Sequence, residues 1–165
     1  YLQYIHPIAE TLSWCLMKNH FHFLVYIREE KGVLADSLVY STVEKPKILD
    51  PSKQFGHLFN AYTQAINKKY NRTGSLFEKP FERKRVTSEK YLKNLIYYIH
   101  NNPVHHGITK SINEYTWSSY GSVLSEMPTK LDREHVIEIF GSVENFIDYH
   151  SQEQDVNSIF DLLID

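Results

Sequence analysis

Two apolar stretches separated by a polar dipeptide constrain this chain most strongly. Thr11 to Met17 and His20 to Ile27 flank Lys18-Asn19, which predicts a β-hairpin. Side chains alternate between the two faces of a strand. One face of the second strand would carry His20, His22, Leu24 and Tyr26, and the other would carry Phe21, Phe23, Val25 and Ile27. The second set is wholly apolar and is therefore predicted to face the core.

The two histidines of this strand form a candidate metal site. His20 and His22 project from the same side at adjacent pleats, a spacing that suits one metal ion. The alternative is two partly buried histidines on a half-polar strand face, and the local pattern leaves both interpretations open.

Helical periodicity accounts for much of the remaining chain. A helix capped by Ser52 and running to about Tyr70 carries an apolar stripe and closes at 71–74. A second helix, capped by Thr87 or Ser88 and ended by Pro103, buries Leu92, Leu95, Ile96 and Ile99. Residues 74–86 mix turn and strand, and 131–140 and 156–164 show helical spacing.

The second helix carries a candidate nucleophile. Tyr98 lies at the border of the predicted buried face, and Asn102 follows one turn later on the same side. Tyr97 is predicted to point to solvent, His100 lies on the opposite flank, and Tyr91 is a reserve candidate. The alternative is that Tyr98 packs at a core edge with its hydroxyl in water.

These residue types suit metal-assisted cleavage of a phosphodiester. A neutral phenol is a weak nucleophile. A divalent ion held by His20, His22 and Asn102 would polarise the phosphate and stabilise the leaving oxygen. Mg²⁺ or Mn²⁺ completed by the anionic substrate is expected, with Zn²⁺ left open. The sequence shows no obvious general base.

Charge is distributed unevenly. Residues 1–110 carry 16 Lys+Arg and 9 Asp+Glu, a balance of +7, whereas residues 111–165 carry 2 and 11, a balance of −9. The densest basic stretch is interleaved with Tyr70, Phe77 and Phe81, a pattern that suits single-stranded nucleic acid. The alternative is a solvated basic loop with core phenylalanines. The predicted DNA-binding residues are Lys68, Lys69, Arg72, Lys79, Arg83, Lys84 and Arg85.

The chain length, the longest apolar run and the number of cysteines narrow the class of protein. A length of 165 residues favours a single domain, and the absence of an apolar run of 18 residues argues against a membrane span. The lone Cys15 allows no intrachain disulfide. A reducing, cytoplasmic setting is expected.

Several motifs together resemble the single-tyrosine HUH transposases, and most closely the REP-associated tyrosine transposases. His20-Phe21-His22 is similar to the family's His-hydrophobic-His motif, although Lys18 stands where the family often has proline. Three further segments resemble family patterns in the family's order: 71–77 (Asn-Arg-Thr-Gly-Ser-Leu-Phe), 98–107 (Tyr-Ile-His-Asn-Asn-Pro-Val-His-His-Gly) and 115–120 (Tyr-Thr-Trp-Ser-Ser-Tyr).

The resemblance implies a ferredoxin-like α+β core, an antiparallel sheet with helices on one face. It implies Tyr98 as nucleophile, His20 and His22 as metal ligands, and Asn102 as a third. Family members begin with a strand and most of a helix before the position of Tyr1, so a missing N-terminal strand is expected. Residues 1–110 would form the catalytic core, and 111–165 an acidic, partly helical extension of the same domain.

The leading hypothesis is an enzyme that nicks and rejoins single-stranded or hairpin DNA through a covalent phosphotyrosine, as in DNA transposition. One alternative is a DNA-binding module that keeps the fold but not the cutting. Another is a metal-dependent phosphoesterase acting on a small substrate, against which the basic stretch argues. A homodimer and a monomer are both left open, and the acidic segment would be a cap on the core, a DNA mimic or a partner surface.

Overall fold

Two antiparallel strands and five α-helices make up the computed structural model, which describes residues 1–28, 49–78, 81–88, 91–157 and 159. Strand β1 is Ala9–Leu16 and strand β2 is Phe21–Ile27. The helices are α1 (Pro51–Tyr70), α2 (Leu92–His105), α3 (Tyr120–Leu124), α4 (Arg133–Phe140) and α5 (Val143–Ser151). The predicted α+β class is confirmed, and the ferredoxin-like arrangement stays a prediction.

The described residues fall into two compact units. One comprises Tyr1–Glu10 and Tyr26–Glu82, and the other comprises Thr11–Val25 and Arg83–Asp165. The predicted nucleophile and metal ligands all belong to the second unit. Among the described helices, none combines the length and apolar character needed to cross a membrane.

The predicted hairpin is present. The backbone N–H of Met17 donates to the His20 carbonyl at 2.8 Å and closes the turn formed by Lys18 and Asn19. The prediction about which face of β2 meets the core was wrong. Leu24, on the face that carries the histidines, is the strand's buried residue, whereas Ile27 is 40% exposed.

The reason for this reversal lies in α2. Leu24 belongs to the same hydrophobic cluster as Ile96 and Ile99 of that helix. Packing against α2 therefore buries the histidine-bearing face of β2. Phe21 and Phe23, on the other face, are half-buried and in ring contact with each other at 5.2 Å between centroids.

Helix α1 begins two residues earlier than predicted. Asp50, not Ser52, is the N-cap, and its side chain accepts the Lys53 N–H at 3.3 Å. Pro51 then occupies the first turn, where its fixed φ suits a helix and its missing N–H costs nothing. The helix ends as predicted, with Asn71 in the left-handed conformation (φ 48°, ψ 46°).

Helix α2 buries Leu95, Ile96 and Ile99 of its predicted stripe, with Leu92 partly buried, but it continues past Pro103. A proline in the last turn removes only the hydrogen bond that its own N–H would have donated. The helical hydrogen bonding continues past it, because the N–H of His106 donates to the Asn102 carbonyl at 3.0 Å. Gly107, at φ 66°, follows immediately. The helix begins at Leu92 with Tyr91 as its N-cap, so the predicted caps Thr87 and Ser88 were wrong.

The acidic segment is built into the second unit. Leu16 N–H donates to the Trp117 carbonyl at 2.8 Å, and Cys15 and Ser118 form an antiparallel bridge. Phe140, Phe146 and Ile159 are buried in the same hydrophobic cluster as α2. Helical structure begins at Arg133 within the predicted 131–140, whereas most of 156–164 lies outside the described residues.

Candidate active site

One face of α2 lies opposite the two histidines of β2. Tyr98, Asn102 and His106 occupy positions i, i+4 and i+8 of the helical register and so form one stripe. Asn102 Nδ2 lies 3.3 Å from His22 Nε2. The ring centroids of Tyr98 and His22 are 5.9 Å apart, and those of His20 and His22 are 5.1 Å apart. The structure therefore brings the predicted nucleophile and all three predicted metal ligands together.

His20 directs a lone pair into this cluster. Its Nδ1 lies 3.0 Å from Asn19 Oδ1, and because an amide oxygen can only accept, Nδ1 carries the proton with the amide oriented in this way. The Nε2 atom is then an acceptor. It is buried and has no hydrogen-bond partner among the described residues. A metal-binding histidine is usually held in orientation in this way, by a hydrogen bond from the ring nitrogen that does not bind the metal.

Asn102 supplies a second unsatisfied acceptor. The residue is fully buried, and its Oδ1 atom has no hydrogen-bond partner within the described part of the chain. Leaving a buried polar atom unsatisfied costs about 1–3 kcal/mol. Two such atoms beside His22 indicate that this arrangement is organised around something that accepts lone pairs.

A divalent metal ion fits this donor set. Imidazole nitrogens and an amide oxygen are common ligands of such ions, and binding would satisfy both His20 Nε2 and Asn102 Oδ1. The residues that would hold the ion are His20, His22 and Asn102, as the sequence predicts. Their role as ligands stays a prediction.

Tyr98 and its neighbour Tyr97 are both buried, against different elements. Tyr98 is only 6% exposed, with its ring edge-on to that of His22. Tyr97 is also 6% exposed, so the prediction that it points to solvent was wrong. Helix α5 covers it, with ring contacts to Tyr149 and His150. Burial raises the pKa of Tyr97. The reserve candidate Tyr91 precedes α2 and packs against the core.

A buried polar network holds the opposite flank of α2. His100 Nε2 lies 2.8 Å from Ser119 Oγ and 3.1 Å from Ser13 Oγ, and its Nδ1 lies 3.0 Å from His150 Nε2. His150 Nδ1 lies 2.8 Å from the Phe146 carbonyl oxygen. The predicted position of His100 on this flank is confirmed.

These contacts determine the proton positions. A carbonyl only accepts, so His150 donates from Nδ1 and accepts at Nε2. His100 therefore donates from Nδ1 and accepts a serine hydroxyl at Nε2. Both imidazoles are neutral. Burial, followed by the neighbouring His150, holds the pKa of His100 well below its ordinary value, and burial lowers the pKa of His150 to about 4.

The network fixes the rotation of α2 about its axis. His100 lies two residues from both Tyr98 and Asn102, and its partners belong to β1, to α5 and to Ser119, which precedes α3. Turning the helix would break the buried hydrogen bonds of His100. The side chains that anchor His100 therefore also keep Tyr98 and Asn102 turned toward β2.

The predicted DNA-binding residues are exposed wherever the structure describes them. Lys68, Lys69 and Arg72 belong to the first unit, and Arg83, Lys84 and Arg85 belong to the second. Lys79 lies outside the described residues.

The aromatic residues of the basic stretch divide into two groups. Phe77 and Phe81 are half-buried and pack on Phe59 of α1, with ring centroids 5.3 and 5.1 Å apart. Tyr70 is 62% exposed, with Lys69 Nζ 5.3 Å from its ring centroid. The expectation of three stacking aromatics is therefore reduced to Tyr70.

The sequence prediction missed His106. Its ring centroid lies 5.5 Å from that of His20. The signal was present as the spacing Tyr98, Asn102, His106, which repeats every four residues and so continues the stripe by one further turn.

Comparison with known proteins gives one distant relative. A protein of Haemophilus influenzae, provisionally named a REP-associated tyrosine transposase, is 24% identical to the chain over 116 residues. The match covers 70% of this chain and 61% of the relative, so the chain spans about three fifths of the relative's length. No family model matches, and no solved structure gives a significant match.

Proposed function

We propose that this chain cuts and rejoins single-stranded DNA, with Tyr98 as the nucleophile and a divalent metal ion, Mg²⁺ or Mn²⁺, held by His20, His22 and Asn102. The observation that carries the proposal is the pair of buried, unsatisfied acceptors His20 Nε2 and Asn102 Oδ1 beside His22 and one helical turn from Tyr98. The distant similarity to a protein named a tyrosine transposase supports a transposition-related, DNA-processing enzyme.

The bound ion would polarise the phosphodiester and neutralise charge on the leaving oxygen. The chain's own residues hold the metal ligands and the nucleophile in position. Asn19 fixes the ring orientation of His20, and the amide of Asn102 contacts His22. The network around His100 holds the helix so that the Tyr98 phenol stays beside the ligands. Such positioning converts a bimolecular attack into an effectively intramolecular one.

The chemical step exchanges one phosphate ester for another. A bond forms between Tyr98 Oη and phosphorus as the bond from phosphorus to a deoxyribose oxygen breaks. The phenolic proton passes to water or to a substrate oxygen, and the leaving oxygen takes up a proton to become a hydroxyl. Because the number of ester bonds is unchanged, attack by a DNA hydroxyl on the tyrosyl ester rejoins a strand.

The substrate is expected to be single-stranded or hairpin DNA. The exposed cations Lys68, Lys69 and Arg72 in one unit, and 83–85 in the other, suit phosphate contacts. Tyr70 offers an exposed ring on which an unpaired base could stack.

The first experiment is an incubation with Mn²⁺ and labelled single-stranded hairpin oligonucleotides, resolved on a denaturing protein gel. A covalent DNA–protein band is expected from the wild-type chain and not from Tyr98→Phe. Tyr97→Phe is the matched control because Tyr97 is adjacent and equally buried but faces α5. It should keep the band.

The outcomes separate the proposed enzyme from its alternative. Cleavage by Tyr98→Phe at the wild-type rate would eliminate Tyr98 as the nucleophile. Hairpin binding by the wild-type chain, measured by fluorescence anisotropy, without any covalent band would indicate a DNA-binding module that does not cut.

A further inference from the structure

A cavity of about 320 Å³ lies in the second unit, apart from the proposed nucleophile and metal ligands. Its wall is formed by the 3₁₀ turn Ile112–Glu114, by the loop after this turn and by α3. The volume is near the lower end of the range for ligand sites. It suits a single flat ring system better than a larger molecule.

The lining of this cavity is polar but uncharged. Asn113, Thr116 and Ser122 line it, and within the described part of the chain their side chains make no hydrogen bond to another residue. They offer amide and hydroxyl donors and acceptors. Burial raises the pKa of Tyr115 and of Tyr120, which also line the cavity, so both phenols are neutral. The cavity therefore suits a neutral ring with a hydrogen-bonding edge.

A phosphate group would find little to bind here. Residues 111–124 contain one charged side chain, Glu114, and its carboxylate accepts the Thr109 hydroxyl at 2.9 Å. The bases are the uncharged part of single-stranded DNA, and their edges carry hydrogen-bond donors and acceptors. Of the components of the proposed substrate, the base is the one that fits this cavity.

Trp117 lies between two lining residues, Thr116 and Ser118, and is 63% exposed. Its backbone is fixed, because its carbonyl accepts the Leu16 N–H at 2.8 Å and the adjacent Ser118 forms a bridge to Cys15. A large apolar side chain left in water is informative. Here the ring offers a face on which an unpaired base can stack.

The cavity is attached to the strand that leads to the proposed metal site. The Tyr115 hydroxyl donates to the Leu16 carbonyl at 2.7 Å, so Tyr115 and Trp117 both bind the last residue of β1. The hairpin turn leads from there to His20. A DNA strand with one phosphate at the metal site would therefore have its neighbouring bases near the cavity.

From these observations we infer that the cavity accepts one unpaired base of single-stranded DNA and that Trp117 stacks on the neighbouring base. The inference rests on the proposed function, because it names a second point at which the substrate of that function is held. Contacts to phosphate carry no sequence information, whereas hydrogen bonds to a base edge do. This base-binding site therefore decides which phosphodiester along the strand reaches Tyr98.

Gly121 provides a way to fill the cavity. It lines the cavity within α3, and a Cβ added to it would meet nothing within 4 Å. Gly121→Leu should place a side chain in the cavity without a clash, and Gly121→Ala, which adds only one methyl group, is the matched control. Trp117→Ala removes the stacking ring. Met127→Ala is its control, because Met127 is 72% exposed and does not line the cavity.

The experiment measures binding of labelled hairpin oligonucleotides by fluorescence anisotropy, with one unpaired nucleotide at a time replaced by an abasic analogue. In the wild type, replacement at two adjacent positions should weaken binding. Trp117→Ala should bind the intact oligonucleotide roughly 5- to 150-fold more weakly, the effect of losing one base–aromatic stack. Trp117→Ala and Gly121→Leu should each become insensitive to one of the two abasic positions, whereas both controls should match the wild type.

A second readout does not depend on cleavage. Trp14 and Trp117 are the two tryptophans of the chain, so Trp14→Phe leaves Trp117 as the sole tryptophan. Its fluorescence should be quenched when hairpin DNA binds.

The two proposals can fail separately. If Trp117→Ala and Gly121→Leu keep the wild-type affinity and the wild-type response to abasic positions, and Trp117 is not quenched, the inference is overturned, even where the wild-type chain forms the covalent band. If Trp117 is quenched and the abasic pattern changes as expected while no covalent band forms, the base-binding site stands and the proposed cleavage fails.

Discussion

Acidification should destabilise this fold through His150 before most carboxylates titrate. His150 is 7% exposed. Its ring lies in tilted contact with Phe146, with centroids 4.1 Å apart, and also contacts Tyr120. Burial lowers its pKa to about 4, an effect that the hydrogen bond to the Phe146 carbonyl partly offsets. The neighbouring Tyr97, Tyr120 and Tyr149 have raised pKa values and remain neutral at acidic pH.

The difference between the pKa of His150 in the folded chain and in the unfolded chain sets the direction and the size of this loss of stability. The unfolded chain protonates His150 near its ordinary pKa of 6.5, whereas the folded chain resists until about pH 4. The contribution to stability is complete above pH 6.5 and is lost as pH falls toward 4, at about 1.36 kcal/mol per pH unit. His150 alone should therefore remove about 2 kcal/mol from the free energy of unfolding by pH 5.

Urea unfolding followed by circular dichroism between pH 7.5 and 5 measures this loss. At pH 7, His150→Gln should have a lower free energy of unfolding than the wild type. Its free energy of unfolding should change less with pH, so the difference between the two proteins should be about 2 kcal/mol smaller at pH 5. Besides burial, the contact with His150 lowers the pKa of His100, so the substitution also removes the part of the pH dependence that His100 owes to His150, in the same direction. His105→Gln is the control and should keep the wild-type slope. Parallel loss of stability in the wild type and His150→Gln would refute the buried, neutral state of His150.

Three further outcomes test other parts of the structure. Phe146→Ala should lower the free energy of unfolding by about 3–5 kcal/mol in urea titrations, because the ring is fully buried in the cluster that contains α2. Mn²⁺ at about 100 times its dissociation constant should stabilise the wild type by about 2.7 kcal/mol in the same assay, and Asn102→Ala should remove most of this gain. Replacing Lys68 and Lys69 by glutamine should weaken hairpin binding and reduce the slope of log affinity against log salt by about one to two.

The sequence predicts the parts of the fold that depend on neighbours along the chain. The hairpin follows from alternation on either side of Lys18-Asn19, and the buried stripe of α2 follows from helical spacing. Both are confirmed. The spacing of Tyr98 and Asn102 is local too, so their common face on the helix was predictable.

The errors concern which face of an element is covered, because that depends on distant partners. The wholly apolar face of β2 would make the better core by composition, yet α2 buries Leu24 on the histidine face. The spacing of apolar residues predicts one buried stripe on α2, and Tyr97 lies outside it. Helix α5, some 50 residues later in the chain, covers a second stripe. Nothing near Tyr97 in the sequence indicates that partner.

The acidic segment, 111–165, contributes both to the core and to the geometry of the candidate site. The sequence leaves three roles open for it: a cap on the core, a DNA mimic or a partner surface. In the structure its apolar residues complete the core, and Ser119 and His150 hold His100. His100 shares one helix with Tyr98 and Asn102, on the opposite flank. The geometry beside His22 therefore depends on side chains of the acidic extension, 111–165. A chain ending at residue 110 would lose the orientation of its proposed nucleophile along with its stability, even though every proposed catalytic and metal-binding residue would still be present.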